Sequence, residues 1–179
     1  MQRIVVLFCV FLINFSFSQK LITRTGEVKF EASVPAFEEI AAKSNTASCV
    51  LDKSNGEIAA LILVKAFKFK VPLMEEHFNE NYIQSDKYPK ATFKGKAIGF
   101  ESSKLNKATV YEVEGDLTLH GVTKKVKTKL TFTPSGNKII ITGSFVVKPS
   151  DFNIQIPSVV KSKIAETVKI MINFELSEK

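Results

Sequence analysis

The amino-acid sequence predicts an all-β domain: about eight antiparallel strands that close as an up-and-down barrel or stack as a sandwich. Three observations lead to that class. Apolar and polar residues alternate in long runs over most of the chain, the period of two that marks half-buried strands. Short turn signals separate the runs, among them Asp52-Lys53-Ser54-Asn55-Gly56, Tyr88-Pro89 and Pro134-Ser135-Gly136-Asn137. Strand and helix patterns do not alternate regularly, so a parallel sheet with crossover helices is not expected. The length of 179 residues suits one domain, and 45% hydrophobic with 24% charged residues is an ordinary globular balance.

The elements follow in order. Glu27–Ala32 alternates charged and apolar residues as an opening strand, ended by Pro35. Phe37–Ala42 has helical spacing and predicts one or two turns. Ser48–Leu51 and Glu57–Lys70 flank the Asp52–Gly56 turn. The second of these is apolar on both faces: Ile58, Ala60, Ile62 and Val64 on one, Leu61, Leu63, Phe67 and Phe69 on the other. Such a strand is expected to be covered on both sides. Pro72–Asn81 predicts a short helix, with Pro72 in its first turn and Leu73, Met74, His77 and Phe78 on one face. Strand patterns return over Ala91–Glu101, Ala108–His120, Val122–Phe132 and Lys138–Lys148. Ser158–Glu166 predicts a second short helix, and Thr167–Leu176 a closing strand.

Residues 1–18 predict a cleaved secretory signal. Arg3 precedes an apolar run from Ile4 to Ile13, and Ser16 and Ser18 stand at −3 and −1 of a cleavage before Gln19. That run is short for a membrane span, which needs roughly 20 residues. The expected mature domain is therefore 19–179, periplasmic or secreted. It keeps one of the two cysteines, Cys49, flanked by Ser48 and Val50 with no histidine near, which reads as a small buried hydrophobe. Too few cysteines remain for a disulfide scaffold. The net charge of +7 is almost all lysine; Arg24 is the single arginine after residue 18. Base readout leans on arginine forks, so nucleic acid is not an expected partner. A lysine-rich exterior predicts solubility and peripheral contact with anionic headgroups.

Catalytic signatures are absent: no G-x-S-x-G elbow, no phosphate loop, no G-x-G-x-x-G. His77 and His120 have no second ligand at metal-binding spacing, so neither a metal nor a cofactor is expected. His120 falls on the polar face of its strand and is expected to face water or cap a turn. An enzyme on a hydrophobic substrate, with either histidine as base, is the weakest reading. Inward apolar surface is what the chain supplies in quantity. Phe30, Phe93, Tyr111, Val113, Leu117 and Leu119 would point into one lumen. So would Val126, Leu130, Phe132, Ile141, Phe145, Ile170 and Phe174. Gly115 and Gly143 share those faces, where a missing side chain relieves strand coiling or leaves room for a ligand. The pattern alone leaves open whether that lumen is filled.

Two stretches carry a resemblance. Asn81-Tyr82-Ile83-Gln84-Ser85-Asp86-Lys87-Tyr88-Pro89-Lys90-Ala91-Thr92-Phe93 is followed by Gly115-Asp116-Leu117-Thr118-Leu119-His120-Gly121-Val122-Thr123-Lys124-Lys125-Val126. Together they resemble the YceI-like family of periplasmic lipocalin-like proteins, over roughly Leu21 to Leu176. The resemblance implies an eight-stranded antiparallel lipocalin-like barrel with a short helix at one end. It also implies a long apolar pocket for an isoprenoid or other long-chain amphiphile. The protein would then be a binding protein, monomeric or homodimeric, and not an enzyme. Lys70, His77 and Tyr82, near the predicted helix, are the candidates to orient a headgroup, Lys70 by charge toward a phosphate. The alternative is a packed barrel that acts through its surface without a lipid ligand.

Overall fold

The computed structural model describes residues 20–178. The predicted signal segment 1–18, with Cys9, lies outside the described residues. The described residues form nine strands: β1 (Lys20–Ser33), β2 (Ala41–Asp52), β3 (Glu57–Leu63), β4 (Lys68–Phe69), β5 (Lys90–Ala97), β6 (Thr109–Leu119), β7 (Val122–Ser135), β8 (Lys138–Val147) and β9 (Ile164–Glu178). All described pairings are antiparallel, in the order β1-β9-β8-β7-β6-β5-β3-β2, and a β1–β2 ladder closes the ring. The fold is thus a closed eight-stranded up-and-down barrel, with two-residue β4 extending the ladder of β2 through Ala42↔Phe69 and Lys43↔Lys68. Closure removes the exposed edges that a sandwich would have to protect.

Alternation in the sequence becomes inside and outside. On β6, Tyr111, Val113 and Gly115 are buried while Glu114 and Asp116 are exposed. Outside, opposite charges meet across the ladders: Lys127 bonds Glu112 at 2.8 Å, and Lys43 bonds Glu27 at 2.6 Å. Exposed pairs of this kind are each worth at most about 1 kcal/mol, so they tune register more than they hold the barrel.

Three local expectations are corrected. Phe37–Ile40 is loop and Ala41–Ala42 opens β2, because Ala42 pairs with Phe30 on one side and Phe69 on the other. A six-residue helix could not offset its nucleation cost against two ladders. Glu57–Lys70 is not one strand. Val64–Ala66 makes a single 3₁₀ turn after β3, which shifts the inward phase from Ile58, Ile62 and Val64 to Phe67. Leu61 and Leu63 are 36% and 50% exposed, so β3 is covered on one side only. Ser158–Glu166 contributes one 3₁₀ turn, Ser158–Val160, and from Ile164 onward it is β9, paired to Ser33 of β1. The other helix stands where the sequence puts it. α1 (Pro72–His77) continues as a π turn over Phe78–Tyr82, marked by the bond from the Ile83 amide to the Phe78 carbonyl at 2.9 Å.

The two ends of the barrel differ. One carries the β2–β3, β5–β6 and β7–β8 connections and is packed solid. The other carries the 34–40 loop, α1 with its π turn, the His120-Gly121 turn and the 148–163 loop.

Candidate ligand-binding site

The floor of the site is an aromatic plug. Tyr111 and Phe132 meet edge to face at 5.1 Å, and Phe100 lies 5.4 Å from Tyr111 and 6.2 Å from Phe132. Val113, Cys49, Leu51 and Leu176 fill the rest, each fully buried. Burial pushes the Cys49 thiol up to about 12, with the Val50 amide opposing slightly. A thiol that stays protonated is an inert packing group, as its sequence context predicts.

Above the plug the side chains stop short of filling the barrel. A cavity of about 410 Å³ remains, within the 300–1,000 Å³ that enclose drug-sized ligands. Its walls are aliphatic and aromatic. Of the residues singled out by alternation, Phe30, Phe93, Leu117, Leu119, Val126 and Leu130 line it, as do Ile141, Phe145, Ile170 and Phe174. Tyr111, Val113 and Phe132 do not: they belong to the plug beneath. Each points inward as expected, but at a different depth along the axis.

An aromatic cluster fastens the helix over the cavity. Phe78, from the π turn, stacks on Phe30 at 5.3 Å and meets Phe69 at 5.2 Å and Phe67 at 6.1 Å. Phe30 in turn meets Phe67 edge-on at 5.1 Å. Rings from β1, β4 and the helical segment thus form one joint. It holds Met74, His77 and Tyr82 against the lumen, and all three line the cavity.

The glycines on the inner faces make room for protein, not ligand. Gly95 and Gly115 face each other across β5 and β6, and the Phe93 ring lies over both. A Cβ on Gly115 would come within 2.4 Å of the Lys94 carbonyl oxygen and 2.7 Å of Phe93. Leu130 occupies the equivalent space at Gly143.

The polar candidates separate. Lys70 does not line the cavity. It bonds Glu39 on the outside, which lowers the Glu39 carboxyl below its ordinary value and raises the Lys70 ammonium above its own. Lys163, at the foot of β9, lines the cavity in its place, with Ile154, Ile156 and Val160 of the same loop. The helical reading of Ser158–Glu166 hid Val160 and Lys163. The apolar Ile154-Gln155-Ile156 alternation is the signal that could have found part of them.

His120 is half-buried and does not line the cavity; it stands in a turn, one of the two places its polar-face position allows. It is the first residue of a two-residue turn, with φ of 50°, followed by Gly121 at 74°. Positive φ at both positions is the geometry that matches strand twist in a tight hairpin. His120 Nδ1 bonds the carbonyl oxygen of buried Phe152 at 2.9 Å, and its ring meets Tyr88 edge-on at 4.4 Å. Tyr88 also packs where a Cβ of Gly121 would stand. The Tyr88-Pro89 and His120-Gly121 motifs, far apart in sequence, therefore touch, and together they pin the 149–153 turn. Among the described residues no three metal-capable side chains cluster.

A YceI-like domain family model matches residues 13–176. No curated protein matches the sequence. Among solved structures, the chain is similar to a polyisoprenoid-binding domain from Saccharophagus degradans implicated in plant cell wall breakdown. That likeness has a TM-score of 0.76 and 15% identity, over 90% of this chain and 99% of the other. It is also similar to Burkholderia cenocepacia BcnA, with a TM-score of 0.69 and 20% identity over 85% and 96% of the two chains. A Campylobacter jejuni YceI protein follows at a TM-score of 0.59, with 19% identity over 75% and 81%. At these identities the solved structures establish a shared fold.

Proposed function

The chain belongs to the YceI-like family, and from that premise we propose that it is a binding protein that holds an isoprenoid or other long-chain amphiphile in its barrel. The observation that carries this reading is the unfilled, apolar cavity of about 410 Å³ above an otherwise close-packed plug. Protein interiors normally leave few voids larger than a water molecule. A cavity of this size with aliphatic walls stabilises an apolar guest by about 25 cal/mol for each Å² taken from water. The polyisoprenoid-binding description of the Saccharophagus degradans domain agrees with it. A long chain would lie along the axis against Leu117, Leu119, Phe145 and Ile170, with its polar end at the mouth beside His77 and Tyr82. No reacting group is required of the protein.

The unfilled cavity speaks against a packed barrel acting only through its surface. We place the mature domain, 19–179, in the periplasm or outside the cell, on the pattern of residues 1–18. Its contact with membranes would be peripheral, through lysine. The test is titration with 11-(dansylamino)undecanoic acid. A blue-shifted emission that saturates at one probe per chain and is displaced by geranylgeraniol is expected. Emission unchanged at micromolar protein would overturn the reading.

A further inference from the structure

We infer that the cargo carries an anionic headgroup, and that Lys163 is the residue that selects it. This deepens the reading above and rests on it: the tail is the business of the walls, and the headgroup is the business of the mouth.

The lining of the cavity is electrostatically one-sided. Among the described residues Lys163 is its one permanently charged lining residue, and no Asp or Glu lines it. The other polar side chains of the lining are His77, Tyr82, Thr92 and Thr128. Thr128 already donates to the Ser144 carbonyl, while His77 and Tyr82, on the helical segment, are both able to donate a hydrogen bond at the mouth. Among the described residues no carboxylate lies within ion-pair distance of Lys163, which is exposed at the rim. Lys87, Lys90, Lys148 and Lys161 also lack a carboxylate partner but do not line the cavity, and three lysines flanking α1 are committed. Lys70 is held by Glu39, Lys68 by Glu75 and Lys65 by Asp86.

The acids of the mouth are turned away from the cavity or tied down. Glu75 and Glu76 line a separate shallow groove on the outer side of α1, with Pro72 and Asn79. Glu75 accepts from Lys68 at 2.5 Å and from the Phe69 amide at 3.3 Å, and its carboxyl is held below its ordinary value by these bonds. Glu38 and Glu80 are exposed and do not line the cavity. An amphiphile seated tail-down therefore presents its head to one unpaired ammonium and two donors, an arrangement that favours negative charge. A neutral head would leave that ammonium unused, and a cationic head would be repelled by it.

The experiment compares three guests with one tail and three head charges: geranylgeranyl phosphate, geranylgeraniol and geranylgeranylamine. Each displaces the dansyl probe from the full chain, from Lys163→Gln and from Lys163→Glu, at low salt. The phosphate is expected to bind the unaltered chain about fivefold tighter than the alcohol, the upper range for one partly exposed ion pair. Lys163→Gln brings the two to near parity. Lys163→Glu turns the preference toward the amine. The alcohol binds all three proteins within about twofold, and the phosphate preference shrinks as salt rises. Equal binding of phosphate and alcohol by the unaltered chain, or a ratio indifferent to Lys163, overturns the inference and leaves the lipid-holding reading standing. Failure of the alcohol to bind at all overturns that reading and the inference with it. Inorganic phosphate is the source control. Full displacement of geranylgeranyl phosphate by inorganic phosphate alone would mark a free-phosphate site and overturn the headgroup assignment.

Discussion

Phe78→Ala should unfasten the helical segment from the barrel and leave the barrel folded. Phe78 is half-buried and touches three rings, Phe30, Phe67 and Phe69, at centroid distances of 5.2 to 6.1 Å. Truncating a fully buried phenylalanine costs about 3–5 kcal/mol. With the side chain only partly buried, the expected cost is lower, about 2 kcal/mol, a factor of about thirty in the opening equilibrium. The loss falls on a local transition, because the ladders of β5 to β9 do not include this segment. Hydrogen exchange is the assay. The Ile83 amide, bonded to the Phe78 carbonyl, and the Ser85 amide, bonded to that of Asn79, should exchange about thirtyfold faster. Amides of the β6–β7 ladder should keep their protection. A bound dansyl probe should also dissociate faster, since Met74, His77 and Tyr82 close over the lumen. Unchanged exchange at Ile83 and Ser85 would refute the claim that the phenylalanine joint holds the helix.

Three further outcomes follow from the same geometry. Gly115→Ala drives a methyl group into backbone at 2.4–2.5 Å and should lose about 3 kcal/mol in urea unfolding; a variant as stable as the parent would contradict the close approach of β5 and β6. His120→Asn keeps a residue tolerant of positive φ but loses the bond to Phe152 and the Tyr88 contact, and should cost about 1–2 kcal/mol; His120→Ala should lose roughly 1 kcal/mol more through the left-handed backbone. Equal stability of all three proteins would remove the turn's role as a latch. Cys49 should resist iodoacetamide at pH 8 in the folded protein and react once urea unfolds it, read by peptide mass. Its folded thiol is raised from 9.0 to about 12, so its contribution to stability is complete below about pH 9 and falls away as pH climbs from there toward 12. Rapid alkylation of the native protein would overturn its placement in the plug.

How much of this was legible in the sequence depended on what alternation can encode. It assigns a residue to the inner or outer face, and on β6 it did so correctly from Tyr111 to Leu119. It does not encode depth. Tyr111 and Val113 alternate in the same phase as Leu117 and Leu119, yet the first two form the plug and the others wall the cavity. Only the closure of the ring, which sets all turns at one end level with one another, separates them. For the same reason the pattern could not tell a filled lumen from an open one. The break in Glu57–Lys70 escaped notice because a 3₁₀ turn changes the inward phase without a Gly or Pro to announce it. Lys70 was a reasonable headgroup candidate by position, but an ion pair with Glu39, 31 residues away, is invisible in one dimension. Lys163 was hidden by a helical reading of a loop. The contact of Tyr88 with His120 and Gly121 is the reverse case: two motifs recognisable only as strings turn out to be one piece of packing.

Organic extraction with mass spectrometry tests the central claim most directly. The full chain would be made in a bacterial host, purified without detergent and extracted alongside a Phe145→Trp, Leu117→Trp variant whose lumen is obstructed. The account predicts close to one long-chain amphiphile per parent barrel, bound from the host or loaded by incubation with geranylgeranyl phosphate and geranylgeraniol, and markedly less in a folded variant. A parent barrel that remains empty after incubation with both, or a folded obstructed variant that retains as much lipid as the parent, would contradict it.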